Sequence, residues 1–457
     1  MQKFIDSTVT ELIKIIDSKE KSKKVAKQFI LEELDAAKDA IPFVKDRVQR
    51  FYINKIDYID AMNNSWGDVD GIDGPQQFLL GVVAYVAQKT DIKTAAMVRI
   101  SIVEYILKHY NLGRYYVNTE IQSAYKPLNL FEIIAKEEKL NPNFVYLLAE
   151  EYEPVRDVIN RWASGFEDRD NKFNHQFQET FNSSFWELYL YQCFKDLKMS
   201  VDFSRASPDF TVNTKNNEII NIEAVTANHA QDSDPEWVSN SKDAKIREDE
   251  EFLNFSCIRI LNAIDSKHKK LFTTYSKYDH VKNKPYIVAI APFEQPMFFM
   301  QNNEAIIRVL YGQGVDKNDG FKEVFVPYAM KNNRVPLDLG MFTTDKYKEI
   351  SAVIFSTTAT IGKAITQSPL ARTVRSSWYH PVKGLVAELK DNAMHFETHL
   401  DGLQIHHNPF AENKLSMTDF DNYEITHYFY DPVLKIIDNQ QKPYTLISRN
   451  IWPVERS

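Results

Sequence analysis

Two acids stand in a stretch that otherwise reads as protein core. In ASPDFTVNTKNNEIINIEAVTAN, Ala206 to Asn228, two apolar runs flank a polar turn; Asp209 follows Pro208 at the head of the first, and Glu223 lies inside the second. Successive side chains of a strand point to opposite faces, so Ile220, Ile222 and Ala224 share one face and Asn221, Glu223 and Val225 the other. Two carboxylates held side by side on neighbouring strands repel each other and resist desolvation unless positive charge sits between them. A divalent cation is the economical solution, and hard oxygen ligands suit magnesium or manganese.

A third acid belongs to the same argument. Glu187 lies in FWELYLYQCF, where helical spacing makes Leu190, Tyr191 and Phe194 its neighbours on a buried face. A glutamate in such company is rarely left unpaired; it either forms a structural ion pair, snorkels to the helix edge, or joins the acid cluster. A helix with an inward glutamate, a Pro-Asp opening one strand and a glutamate on the next resemble the core of the PD-(D/E)xK nuclease superfamily, over roughly Phe181 to Ala291. Downstream, KPYIVAIAPFEQP, ISAVIFSTTATIGK and HHNPFAENKL resemble segments of uncharacterised prokaryotic members of that group. The resemblance implies a restriction-endonuclease-like mixed sheet flanked by helices. It also implies a catalytic Mg2+ or Mn2+ held by Asp209 and Glu223 with the Ala224 carbonyl, and Glu187 acting on a bound water or a second metal. The implied activity is hydrolysis of phosphodiester bonds, in DNA more often than RNA, and the implied setting is prokaryotic defence.

The pattern breaks at Val225, where the superfamily places a lysine over the same face as the glutamate. Either the fold no longer cuts, leaving a nucleic-acid-binding or assembly protein, or the ammonium arrives from another element. Cys257, Ile260, Leu261, Ile264 and Leu271 form an apolar helical stripe, and Lys267 falls within its continuation. Its long stem could be buried while its ammonium reaches the acids; alternatively it balances surface charge at the helix edge. Lys215, Lys242 and Lys245 sit in or near polar loops and are weaker substitutes. Between Arg259 and Lys284 seven basic residues face two acids, Asp265 and Asp279, with Tyr275 and Tyr278 among them. Such a run is either a solvated face or a track for a phosphate backbone.

The rest of the chain must position these groups. Its 457 residues suggest more than one core, and 44% hydrophobic with 26% charged residues is the composition of a globular protein. The formal net charge of −8 excludes a wholesale basic surface, so any nucleic-acid site is local. Residues 1–165 read as an all-helical domain for target recognition, for a protein partner or for a second copy, and 166–457 as the nuclease-like α/β domain with a C-terminal extension. ASGFEDRDNKFNH marks the boundary. A helix is expected over about Glu248 to Phe272, and strands in PYIVAIAPF, ISAVIFSTT and GLQIHHNPF.

Other candidates carry less. Asn63 to Pro75 is rich in aspartate, but the twelfth position from Asp68 is Leu79 rather than an acid, so a turn is expected rather than a calcium loop. MHFETHL alternates as a strand does, which argues against His395 and His399 as a helical metal pair; His406 and His407 end a strand and are expected to be structural or substrate-facing. Cys193 and Cys257 lie in apolar runs with no zinc spacing, so buried free thiols and a reducing cytoplasm are expected. The longest apolar stretch, FLLGVVAYVA, is too short to span a bilayer, so no membrane partner is expected.

Overall fold

A computed structural model of the chain describes residues 2–18, 74–89, 128–238 and 250–454, with single positions between 26 and 109; within the last range 317–318, 320–321, 332–333, 381–383, 393–394, 396, 421, 423 and 441–444 are excepted. Its centre is an eight-stranded mixed sheet whose strands lie side by side in chain order. They are β1 (Ser200–Val201), β2 (Phe210–Asn213), β3 (Ile219–Asn228), β4 (Tyr286–Phe293), β5 (Ala352–Phe355), β6 (Gln404–His407), β7 (Thr426–Asp431) and β8 (Ile436–Gln440). The first three form an antiparallel meander; β3, β4 and β5 run parallel; β5 and β6 are antiparallel, β6 and β7 parallel, β7 and β8 antiparallel.

Parallel neighbours require crossovers, and α-helices lie in those from β3 to β4 and from β4 to β5. In chain order the described α-helices are α1 (Gln2–Asp17), α2 (Gly74–Lys89), α3 (Pro142–Leu148), α4 (Glu153–Trp162), α5 (Phe173–Glu179), α6 (Asn182–Asp196), α7 (Glu250–Thr273), α8 (Glu304–Tyr311) and α9 (Ile361–Thr366). Helix α7 connects β3 to β4, with Glu250 and Glu251 in its first turn and Lys270 in its last, the charge order that its dipole favours. Its stripe of Cys257, Ile260, Leu261, Ile264 and Leu271 packs on Val225, Val288 and Ile290. On the other face Trp186, Leu190, Cys193 and Phe194 of α6 cover Ile220, Ile222 and Ala224. The Trp186 indole donates to the Ala289 carbonyl at 3.0 Å, which fixes α6 against β4. Each fully buried large apolar side chain of this kind contributes about 1.5–3 kcal/mol, so the two clusters dominate the sheet's stability.

The expected strands in PYIVAIAPF, ISAVIFSTT and GLQIHHNPF are β4, β5 and β6, and both cysteines are buried free thiols. MHFETHL is a correction: its described positions 395 and 397–400 form no strand; His395 and Glu397 pair with each other, Arg449 reaches Glu397, the Thr398 amide donates to Asp401, and the His399 ring bonds the Tyr189 carbonyl. A three-stranded antiparallel sheet of Gly384–Asp391, Arg372–His380 and Leu446–Pro453 stands beside the main one. Of the expected N-terminal helices, α1 and α2 are described and bury Leu12 and Ile16 with Leu79 and Val86; much of the remainder, including 63–73 of the calcium-like loop, lies outside the described residues. One apolar cluster crosses position 165: Phe144, Val155, Ile159 and Trp162 pack with Phe177, Phe185 and Leu188 and with Ala364 and Ile365 of α9.

Candidate active site

The acids meet where the sheet opens. On the β2 side the ladder of β3 stops at the Phe210–Ile222 pair, so the next outward-facing amide, that of Ala224, has no strand to bond. Asp209, immediately before β2, takes its place: the Ala224 amide donates to Asp209 Oδ2 at 2.8 Å. The backbone polar groups of alternate residues point to alternate edges, and the Asn221 amide donates to the Pro285 carbonyl on the β4 side. The Ala224 carbonyl is therefore directed to the same open edge as Asp209. Behind Asp209 the Ser207–Pro208 peptide is cis. The Arg169 guanidinium donates to the Asp209 carbonyl at 3.3 Å and also reaches the Arg205 carbonyl.

Glu223 is fully buried, on the face that α7 covers. Two ammonium groups from α7 reach one of its oxygens: Lys267 Nζ lies 2.7 Å and Lys270 Nζ 3.0 Å from Glu223 Oε1. Their side chains remain 21% and 46% exposed, so both enter from the solvent side. Glu223 Oε2 is buried and has no hydrogen-bond partner. The Tyr275 hydroxyl faces Glu223 and Ser207; burial and the negative charge of Glu223 push its pKa above the ordinary tyrosine value. Lys270 Nζ also stands 4.9 Å over the Tyr275 ring.

The other acids respond to this crowding. Burial, with Glu223 next in importance, pushes Asp209 up to about 6, against the opposing pull of Lys267, the Ala224 amide and Lys270. Glu187 lies on α6, across the sheet from α7, yet its carboxyl feels the cluster through the open edge. Burial first, then Asp209 and Glu223, push it up to about 8, while Arg169 and Lys267 pull it down. Lys269 points outward, 74% exposed, and pairs with Asp265 at 2.7 Å. Two carboxyls, two ammoniums and a guanidinium thus meet beside β3, with the Glu187 carboxyl within electrostatic reach. They could hold a cation, polarise a phosphate or exchange a proton near neutrality.

The structure brings Asp209, Glu223, the Ala224 backbone and Lys267 together, with Glu187 within electrostatic reach. Among the described residues no group of three or more Asp, Glu, His or Cys side chains converges as a metal cage. The oxygens on offer are those of Asp209 and Glu223 and the Ala224 carbonyl, with Glu223 Oε2 buried and unpartnered, a donor set of the hard type that magnesium or manganese takes. Sequence reasoning missed Lys270, Arg169 and the role of Tyr275. Lys270 left a signal, since three residues after Lys267 it must share that lysine's helix face; Arg169, in the polar boundary segment, left none.

The histidines do other work. The His395 ring pairs with Glu397 at 2.9 Å, and His399 bonds the Tyr189 carbonyl at 2.9 Å with its pKa pushed down by burial to about 3. His406 meets the Tyr311 hydroxyl and His407 meets His427, and burial pushes each of the first two down to about 3, leaving them neutral. A cavity of about 260 Å³ lined by Asn302, Asn303, Gln404, Thr426, Tyr428 and Asn439, among others, contains none of the acids. Among the described residues no helix is long and apolar enough to cross a membrane. No protein-family model, no curated protein and no solved structure matches the chain.

Proposed function

We propose that the protein is a metal-dependent nuclease of restriction-endonuclease-like fold that hydrolyses phosphodiester bonds of nucleic acid, DNA in the first instance. One observation carries the reading: a buried Glu223 with one orphaned oxygen stands beside an Asp209 whose charge is disfavoured, and the Lys267 ammonium of α7 reaches Glu223. Asp209 and Glu223, with the Ala224 carbonyl, would hold a magnesium or manganese ion. When bound, that ion supplies Lewis acidity to the scissile phosphate and lowers the pKa of its water. Lys267 binds a non-bridging phosphate oxygen and stabilises the charge that develops there. Lys270 and Arg169 add positive charge at the same edge and orient the strand. In the metal-free protein Glu187 is pushed up to about 8 and holds a proton at neutral pH; an ion held by Asp209 and Glu223 would lower it, leaving Glu187 a carboxylate that acts on bound water.

A second reading has its own support. Two ammonium groups on Glu223 Oε1 already place positive charge beside the carboxylate without metal, as expected of a nuclease fold that binds nucleic acid without cutting it. Cleavage of plasmid and oligonucleotide with manganese, abolished by Asp209→Ala, together with a calorimetric manganese site lost in Glu223→Gln, establishes the first reading. A protein that binds nucleic acid but cuts nothing, with no manganese heat in either form, establishes the second.

A further inference from the structure

Beside the acids three tyrosine rings run from the core to the surface, and the outermost stacks on a histidine. Tyr286 and Tyr275 have centroids 6.4 Å apart, Tyr275 and Tyr278 6.2 Å, and Tyr278 and His280 5.5 Å with planes only 10° from parallel. The inner end is buried and the Tyr275 hydroxyl faces Glu223; the outer ring, Tyr278, is 37% exposed. The outer pair is not a loose surface feature. The His280 ring bonds the Ser207 carbonyl at 2.8 Å, two residues before Asp209, and the His280 carbonyl accepts from Asn221 at 2.9 Å, two residues before Glu223. The platform is thus tied to both acid-bearing segments, and the chain around it carries Lys270, Lys277, Lys282 and Lys284 against Asp279.

We infer that Tyr278, backed by His280, is a stacking platform for an unpaired nucleobase, and that the substrate or ligand of this edge is single-stranded polynucleotide. An exposed aromatic face accepts any base because every base has a π-face, whereas in an intact duplex the bases are stacked on one another. The lysines track the backbone while the ring holds the base, placing the neighbouring phosphate toward Glu223 and Asp209. The inference rests on the reading of the acid edge as a nucleic-acid site, and it extends that reading by naming the strand state.

The test is binding without cleavage. In EDTA, fluorescence anisotropy is measured with labelled DNA and RNA single strands of about 12 nucleotides, a length within the usual site size of such platforms, and with a blunt duplex. The wild type is expected to bind a single strand more tightly than the duplex. Tyr278→Ala is expected to weaken single-strand binding about tenfold, with duplex binding within about twofold, Tyr278→Phe restoring affinity and the salt slope unchanged. A loss on either DNA or RNA supports the platform. A loss on neither, an equal loss on the duplex, or tighter duplex binding by the wild type overturns it. A parallel manganese assay separates the two ideas. Wild-type cleavage of limiting single strand by Tyr278→Ala sinks the platform and leaves the nuclease; no cleavage by the wild type, with Tyr278-dependent binding intact, sinks the nuclease and leaves the platform.

Discussion

Two buried glutamates in this protein hold two cations each, and they are built to opposite ends. Glu397 is closed in: Lys363 and Arg449 both pair with its Oε1, His395 takes Oε2 at 2.9 Å, and all three partners are themselves buried. Lys363 also donates to the Asp401 carbonyl at 2.7 Å and Arg449 to the Thr358 carbonyl at 2.7 Å, so the charges are fully engaged. Although burial opposes it, Arg449 and Lys363 hold Glu397 far below the usual carboxylate range. Glu223 is equally buried, but its cations come in from solvent, one oxygen has no partner, and its acidic neighbours are pushed up rather than down. The first cluster ties α9, the Leu446–Pro453 strand and the loop before β6 together. The second leaves an electrostatic demand unmet, which is what a ligand site needs and a structural network avoids.

The largest effect should come from breaking the closed cluster. Glu397→Ala leaves Lys363 and Arg449 charged with no carboxylate and no route to water, so a loss of about 3–5 kcal/mol in urea unfolding is expected. Glu223→Gln should cost no more than about 1 kcal/mol, because Lys267 and Lys270 can turn to solvent. Equal losses in the two variants would erase the distinction between the clusters.

Next comes the ammonium at the open cluster. Lys267→Ala is expected to lower the cleavage rate about 100- to 1,000-fold, the usual effect of removing one transition-state donor, with manganese affinity kept, since an ammonium ligates no metal. Lys269→Ala, on the outward side of the same helix, should leave the rate within about threefold and only reduce the salt dependence of binding. Similar modest effects from both would make Lys267 part of a basic surface.

The same contrast explains what the sequence could reveal. Glu223 and Lys267 were legible because each interrupts a periodic apolar pattern, of period two in β3 and 3.6 in α7, and periodicity says which face a side chain must share. The β2–β3 pair, helix α7 and β4 followed from the same patterns, whereas β1, only two residues long, carries no pattern to read. The Glu397 cluster was not legible: its members come from a short helix, an irregular loop and a strand, and Arg449 meets Glu397 across 52 residues of chain. No local rule links such positions. MHFETHL alternates without forming a strand, and its Glu397 and His399 meet long-range partners, Arg449 and the Tyr189 carbonyl. Tyr278 was visible as an aromatic in a basic run, but its stacking on His280 and the ties of His280 to Ser207 and Asn221 exist only in the folded chain.

The open edge and the closed cluster also differ in how their stability depends on pH. Asp209 is raised from its ordinary 3.8 to about 6 and Glu187 from 4.5 to about 8, so in the metal-free protein folding takes up protons between those values. When the folded state binds more protons than the unfolded, stability falls as pH rises; the contribution is fully present below the ordinary carboxylate values and is lost as pH passes through about 6 and then about 8. Other groups titrate too, so the useful quantity is the Tm of the Glu187→Gln, Asp209→Asn double variant minus that of the wild type. In EDTA this difference should grow by a few degrees from pH 5 to pH 8. Manganese should close it at pH 8 by stabilising the ionised wild type through linkage, while leaving the double variant unmoved. A difference that stays flat across the range would mean that the acids of the open edge are as well satisfied as Glu397, and the reason to expect a ligand there would be gone.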